Sequence, residues 1–323
     1  MIGVTGGTGF VGRRLVARLA TSSRVRVLAH KSEQAAVPNV KYILGDLTNQ
    51  EAVTEFVNGC SSLIHLAGVA HTSLRTDGEK ERSYAVNVNG TESLLNAALR
   101  TGVKRLLFVS TAHVYADHKG VGLDEDSPVG PSSYYAGTKI KAEQLVRQAG
   151  DRGLQIVIVR PCLIYGPGAR FNLYTLMRGI DTRYYFHLSG ESPLRSFLSV
   201  ENASRAISFL VRSETASGVY NLADETPYSL VDFANELADR MKRPRPVTMP
   251  SSLIHALGCA GAGVQKFGVN VPLTRETLDK LTSNFTLSTR RLADVGFEWD
   301  DDCGIVRQEM VNHYLASKQT PHS

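Results

Sequence analysis

The chain has 323 residues, 42% hydrophobic and 21% charged, with a formal net charge of +5. That apolar share excludes a disordered chain and suits one large or two modest globular domains. The positive balance is mild and lacks the concentrated basic stripe of a nucleic-acid binder, because the densest cluster, Lys242-Arg243-Pro244-Arg245, reads as a solvated loop.

The first strand, residues 2–4, begins at once and leaves no room for a signal peptide ahead of it, so a cytoplasmic location is expected. Gly6, Gly9 and Gly12 follow that strand and open a helical pattern over 11–20. Without a Cβ, such a turn lets the backbone approach a pyrophosphate, and the N–H groups and dipole of the helix start favour an anion. The spacing is G-x-x-G-x-x-G rather than the more familiar G-x-G-x-x-G, and on this stretch alone a purely structural strand-to-helix turn stays open.

Short apolar, β-branched strands are predicted at 25–28, 40–44, 63–66, 106–109 and 156–159. Between them, Thr48-Asn49-Gln50-Glu51 has capping-box spacing for a helix reaching about 58, and a second helix covers 83–99 and stops at Gly102. Alternation at this period predicts an α/β chain with a doubly wound, mostly parallel sheet. Ligands of such sheets lie at the carboxyl ends of the strands, where Gly6, Asp46, Ala67, Thr111 and Pro161 fall.

After Gly166 the elements shorten, with helices expected over 198–212 and 228–241. The expected division is a dinucleotide-binding domain over 1–166 and a smaller, mainly substrate-binding domain over 167–323, part of 195–223 packing back on the first. The apolar stretch 253–264 is too short to span a bilayer and reads as a helix on the small domain, so no integral membrane segment is expected. Cys60, Cys162, Cys259 and Cys303 are scattered without a C-x-x-C pair. That argues for a reducing compartment and against a disulfide frame or a zinc site, so no metal is expected.

Tyr135 and Lys139 stand four apart in a predicted helix over 134–148 and share one face. A free phenol titrates near ~10, and a neighbouring ammonium lowers that value, which makes Tyr135 a candidate general acid/base. Lys139 also reaches the sugar hydroxyls of a nucleotide; a plain surface Tyr/Lys pair is the alternative. Ser110 and Thr111 directly follow the strand ending at Val109, where a hydroxyl can hydrogen-bond the oxygen that Tyr135 protonates or deprotonates. At the end of the second strand, where an NAD enzyme usually carries a carboxylate, the chain reads Ala29-His30-Lys31-Ser32. A 2′-phosphate would give His30, Lys31 and Arg13 a role, so NADP(H) is favoured within an NAD(P) reading; side chains pointing into water are the alternative.

These motifs occur in order with Gly45-Asp46-Leu47, His65-Leu66-Ala67-Gly68, Asn87-Val88-Asn89-Gly90-Thr91 and the run from Arg160-Pro161 to Gly166-Pro167-Gly168. Together they resemble the extended short-chain dehydrogenase/reductase family, specifically its NAD-dependent epimerase/dehydratase group, over residues 1–315. The resemblance implies a Rossmann-type doubly wound sheet with a smaller C-terminal substrate-binding domain, and hydride exchange with C4 of a nicotinamide. By position, Thr111 rather than Ser110, with Tyr135 and Lys139, carries catalysis. Gly6, Gly9, Phe10, Val11 and Gly12 hold the cofactor, Asp46 and Leu47 its adenine. Ala67 lies by its nicotinamide half, Leu66 and Gly68 also bind the cofactor, Pro161 to Ile164 line the nicotinamide face, and Asn87 supports the site or is purely structural. Arg195, in a segment like the group's R-x-φ-φ-x-V, and Asn172 would meet the diphosphate of a nucleotide-sugar, with Arg275 a weaker candidate.

The implied enzyme is a cytoplasmic homodimer, paired through the helices over 83–99 and 134–148. It acts at a sugar carbon, C4, of a UDP-sugar as epimerase or ketoreductase. A reductase of steroid- or flavonoid-like ketones is an alternative. A non-catalytic NADP-binding redox sensor is another, against which the intact Tyr135 and Lys139 count. Two departures from the group stand out. Gly137 inside the catalytic helix costs roughly 1 kcal/mol against Ala, and Ala116 stands where many relatives carry glycine.

Overall fold

The computed structural model describes residues 1–30, 37–69, 76–117, 119–169, 172–250, 282–300 and 302–319. The chain opens with β1 (Ile2–Thr5), α1 (Phe10–Ala20), β2 (Val25–Ala29), β3 (Val40–Leu44), α2 (Gln50–Val57) and β4 (Ser62–His65). Next come α3 (Asp77–Tyr84), a π-helical turn (Ala85–Asn89), α4 (Gly90–Thr101), β5 (Arg105–Val109), α5 (Tyr134–Asp151) and β6 (Gln155–Pro161). The later elements are β7 (Leu163–Tyr165), α6 (Asn172–Asp181), β8 (His187–Leu188), β9 (Leu194–Arg195), β10 (Phe197–Ser199), α7 (Val200–Arg212) and β11 (Gly218–Leu222). After them the described elements are β12 (Tyr228–Ser229), α8 (Leu230–Arg240), β13 (Thr248–Met249), α9 (Arg290–Asp294) and α10 (Cys303–Gln319).

Seven strands form one sheet in the order β3-β2-β1-β4-β5-β6-β11, every neighbouring pair parallel. This is the doubly wound α/β fold that the alternating pattern predicts. The order reverses between β1 and β4, which opens the crevice where ligands of such sheets bind. Helices cover both faces, so the central strands are apolar on both sides; Leu106, Leu107 and Phe108 of β5 are fully buried. On one face Leu15, Val16 and Leu19 of α1 pack with Ala203, Ile207 and Leu210 of α7. On the other, Phe56 of α2, Leu94 and Ala98 of α4, and Val146 of α5 fill the core. A third cluster joins α6, α8 and α10 around Tyr165, Phe197 and Phe233, the two phenyl rings stacked with centroids 4.3 Å apart.

Several element details differ from expectation. Asn49, not Thr48, caps α2, its Oδ1 accepting the amides of Glu51 and Ala52, while the Thr48 hydroxyl is drawn to Asp46. The helix expected over 83–99 is α3 and α4 joined by the π-helical turn, ended by Gly102 at φ 74. The stretch 197–199 is a strand paired with β7, because Ser199 caps α7 from an extended conformation and delays the helix to Val200. The expected helix at 253–264 lies outside the described residues.

Arg160, near the end of β6, is 2% exposed and Glu143 of α5 is 3% exposed. The guanidinium forks onto the carboxylate, Nε to Oε1 at 3.1 Å and Nη2 to Oε2 at 2.8 Å. Its Nη1 donates to the Glu125 carbonyl at 3.2 Å, and its plane lies 4.9 Å from the centre of the Tyr115 ring. Removing one charge of such a pair leaves the other buried and unpaired, at a cost of about 3–5 kcal/mol. Glu143→Gln is therefore expected to lower the unfolding free energy by that amount, read as a lower urea midpoint. The double variant Glu143→Met/Arg160→Met is expected to lose less than the single one, in a double-mutant cycle. An unchanged midpoint for Glu143→Gln would show that the pair contributes nothing.

Candidate active site

Between β1 and α1 the chain turns at Gly6, whose φ of 70° suits glycine and where a Cβ would come within 2.7 Å of the Ala67 amide nitrogen. A Cβ on Gly12 would stand 2.1 Å from the Gly6 carbonyl oxygen, so α1 sits directly on the turn. Gly9 caps α1 with no side-chain hydrogen bond, and the first turn of α1 holds no acidic residue. Its leading amides and dipole are thereby left for an anion.

A buried polar chain fixes the neighbouring loop. The Ala67 amide donates to Thr5 Oγ1 at 3.2 Å, and Thr5 Oγ1 meets His65 Nδ1 at 2.7 Å. On the other side of the ring, His65 Nε2 meets Thr91 Oγ1 at 2.9 Å, and that hydroxyl donates to the Asn87 carbonyl at 2.7 Å. Since the Thr91 proton is committed, His65 Nε2 must donate and Nδ1 must accept from Thr5. Burial, with the nearby Lys139 charge adding to it, keeps His65 neutral by pulling its pKa down to about 3.

The candidate catalytic side chains come from the end of β5 and from α5. Thr111 leaves β5 extended and accepts the His113 amide at 3.3 Å, while Ser133 caps α5 through the Ala136 amide at 3.1 Å. This start places Tyr135 and Lys139 on the buried face of α5. Lys139 Nζ donates to the Val109 carbonyl at 2.6 Å and lies 4.3 Å from the centre of the Phe108 ring. The π-helical turn aims Asn87 across the gap: its Oδ1 accepts the Val69 amide at 2.7 Å and its Nδ2 donates to Thr138 Oγ1 at 3.0 Å. Asn87 thus ties the loop after β4 to α5.

A cavity of about 230 Å³ opens here, with apolar walls of Val11, Leu66, Val109, Pro161, Cys162 and Ile164. Gly68 forms part of its floor, and its side-chain polar groups are Ser110, Thr111, Tyr135 and Lys139. Burial pushes the Tyr135 phenol up to about 12, with the Thr111 hydrogen bond pulling the other way. Burial likewise brings the Lys139 ammonium down to about 7, against the pull of Glu143. The expectation that an adjacent ammonium lowers the phenol is corrected: burial raises it, the opposing pull comes from Thr111 rather than Lys139, and the phenol is held protonated.

The other predicted residues lie around this centre. Ala67 is tied to Thr5 as described, and Phe10 leans on the third core cluster beside the cavity. The His30 side chain is 76% exposed, 3.7 Å from the Asp46 carboxylate. Thr48 hydrogen bonds hold the Asp46 carboxyl below its usual range. Leu47 is buried against Gly90. Arg13 folds back, its Nε donating to the Thr8 carbonyl at 2.9 Å. Asn172 is exposed at the start of α6, and Arg195 is half-buried in β9, where burial lowers its pKa. Neither lines the cavity. Lys31 and Arg275 lie outside the described residues.

Sequence reasoning does not single out the Val109 carbonyl and the Phe108 ring that hold Lys139, nor the His65–Thr91 link. A backbone acceptor leaves no mark in a sequence, although His65 does stand in one of the motifs above. The glycine cradle that a Cβ would fill, the uncapped helix start and the adjoining cavity fit a dinucleotide. Among the described residues no group of three or more His, Cys, Asp or Glu is placed to hold a metal ion, and no helix is long and apolar enough to cross a membrane.

Comparison with known proteins agrees with this geometry. Residues 2–223 match the NAD dependent epimerase/dehydratase family model. Over 245 residues the chain is 36% identical to the 4-hydroxy-2-methyl-3-oxo-4-farnesyl-3,4-dihydroquinoline-1-oxide ketoreductase of Stigmatella aurantiaca, covering 73% of this chain and 72% of that one. It is 30% identical over 251 residues to the UDP-glucose 4-epimerase of Vibrio cholerae, covering 75% and 76%. The fold matches that of the Thermus thermophilus UDP-glucose 4-epimerase, solved with NAD, at a TM-score of 0.74 and 21% identity, covering 98% and 99%. Glycine turn, parallel sheet and family match together make this chain an enzyme of the NAD dependent epimerase/dehydratase family.

Proposed function

We propose that the protein interconverts an alcohol and a ketone at C4 of a UDP-sugar, as an NADP(H)-using ketoreductase or an epimerase. The observation that carries this reading is the buried group of Thr111, Tyr135 and Lys139 on one cavity beside the glycine turn. When bound, the nicotinamide supplies or accepts the hydride. Tyr135, kept protonated by burial, donates its phenolic proton to the substrate carbonyl oxygen during reduction. Thr111 hydrogen-bonds the same oxygen and orients it. Lys139 in its ammonium form favours the phenolate that remains, which allows reprotonation or the reverse step.

NADP(H) is favoured by the absence of a carboxylate at Ala29-His30 and by Arg13 lying over the glycine turn. Arg195 on β9 and Asn172 on α6 are assigned to the sugar-nucleotide diphosphate, a geometry arginine suits. A cytoplasmic homodimer paired through α4 and α5 belongs to the same reading. A second reading, reduction of an apolar ring ketone, is favoured by the apolar cavity walls and by the 36% identity to a ketoreductase of a farnesylated quinoline oxide.

Tyr135→Phe is expected to lower kcat by about 10²–10⁴-fold while cofactor Kd stays within about twofold, because only the proton-transfer oxygen is lost. Full turnover by this variant would end the mechanism. Mixing the protein with NADPH and a UDP-4-keto-6-deoxy-sugar should consume cofactor stoichiometrically, and Arg195→Ala should raise KM for that substrate about tenfold or more. Interconversion of two UDP-hexoses without net cofactor loss would select the epimerase form. Turnover of apolar ring ketones with silence toward UDP-sugars would select the second reading.

Lys139 also links stability to pH. Its pKa is about 7 in the folded protein, against about 10.4 in an unfolded chain. Between those values the unfolded chain binds more protons, so this group makes stability rise with pH. Below the folded value both states are protonated and the slope vanishes. Lys139→Met is expected to flatten the rise in urea midpoint between about pH 7 and about pH 9. Parallel curves for the two proteins would refute the assignment.

A further inference from the structure

Charged residues of alternating sign run from the surface to the cavity. Arg291 of α9, partly exposed, stands 3.7 Å from the Glu125 carboxylate. The Glu125 carbonyl accepts Arg160, Arg160 forks onto Glu143, and Glu143 lies four residues beyond Lys139 on the buried face of α5. Glu125, Arg160, Glu143 and Lys139 are all buried, so water screens little of what they do to one another. Lys139 ends the series, held by the Val109 carbonyl and the Phe108 ring, and among the described residues it makes no ion pair. Few groups face it. From α5 come Tyr135 and Glu143, from β4 the neutral ring of His65, and from the loop after β4 and the π-helical turn Gly68 and Asn87. Among the described residues Glu143 is the one carboxylate whose charge bears on Lys139, and it favours the ammonium against burial.

We propose that Glu143 is a positioning residue for the charge of Lys139: its carboxylate keeps the buried ammonium protonated, and Arg160 limits how much of that field the lysine feels. What this does for Tyr135 rests on the proton-transfer reading above; the charge state of Lys139 does not. Residues four apart on a helix stand about 6 Å apart at Cβ. At that range, with little water between, a carboxylate favours a neighbouring ammonium. The Val109 carbonyl and the Phe108 ring are neutral and replace only part of the lost hydration. Both oxygens of Glu143 are taken by Arg160, so the carboxylate cannot serve Lys139 alone. Arg147, 3.7 Å from the same carboxylate, is half exposed and screened by solvent. The two ends of the fork therefore act on Lys139 with opposite sign: the carboxylate holds its proton on and the guanidinium drives it off. A pair that served packing alone would show no such opposition, because losing either end would loosen α5 against β6 alike.

The test follows the titration of Lys139 by NMR in protein carrying ¹³C-labelled lysine, its signal identified by loss in Lys139→Met. Glu143→Gln is expected to move the midpoint down by about one pH unit or more, and Arg160→Met to move it up by a similar amount. Glu143→Met/Arg160→Met, which should keep more stability than Glu143→Gln, is expected to move it down, because the charge on the lysine's own helix outweighs the one beyond it. This double variant decides the matter if a single one does not fold. A midpoint that stays at the wild-type value in any folded variant overturns the proposal. So do two single variants that move the same way, or a double variant that moves up. Wild-type turnover of the UDP-4-keto-6-deoxy-sugar or the ring ketone, read over the same pH range, separates the two claims. A fall in kcat through the Lys139 midpoint is expected. Its absence, with the variants titrating as above, ends the proton-transfer reading and leaves the role of Glu143 standing.

Discussion

The buried fork between Arg160 and Glu143 is the constraint on which the arrangement of the site depends. Glu143 lies one helical step of four beyond Lys139 and two beyond Tyr135, on the same face of α5. Arg160 immediately precedes Pro161, which forms a cavity wall. One ion pair therefore sets the helix that carries Tyr135 and Lys139 in register with the strand whose end closes the opposite side. Its reach goes further, since Arg160 also holds the Glu125 carbonyl and the Tyr115 ring, and the Tyr115 hydroxyl donates to Asn221 of β11 at 2.6 Å. An apolar pair of similar volume could match the stability. It could not impose the directional fit of a two-pronged hydrogen bond.

That rigidity matters because the site works against its own electrostatics. Tyr135 and Lys139 are buried by the same packing that positions them, and burial disfavours both charged forms. The outcome is a protonated phenol beside an ammonium that is nearly as stable deprotonated. The Val109 carbonyl and the Phe108 ring offer the ammonium a partial substitute for water. A protonated phenol in an apolar cavity is a proton donor first.

Much of the fold can be read from the sequence because its signals are local and periodic. Apolar runs at 106–109 and 156–159 are what strands covered on both faces require, and Gly6 and Gly12 stand where a Cβ would strike backbone. The spacing of Tyr135 and Lys139 is likewise a helix-face argument, and the structure brings both to the cavity with Thr111. What escapes depends on competition between partners. Thr48 and Asn49 are both good caps, and Asp46 draws the Thr48 hydroxyl away, leaving Asn49 for α2. The π-helical turn is set by hydrogen bonding rather than by a residue type, so the sequence does not reveal that it aims Asn87 at the loop after β4. The balance at the Tyr135 phenol is hidden for a related reason: charge proximity is visible in spacing, whereas burial is a property of the whole packing.

Two local deficits converge on one place in the molecule. Helix α1 begins on a glycine with no capping side chain, and burial brings the Lys139 ammonium down to about 7. Each would be removed by an ordinary substitution elsewhere in a protein: a Ser at the helix start, a Met for the lysine. Both face the crevice where the strand order reverses, between β1 and β4 and along β5. A ligand with an anionic group for the helix start and hydroxyls for the lysine would remove both at once. Stability forgone in the free protein then becomes preference for that ligand, which is the physical sense in which the site is built for it.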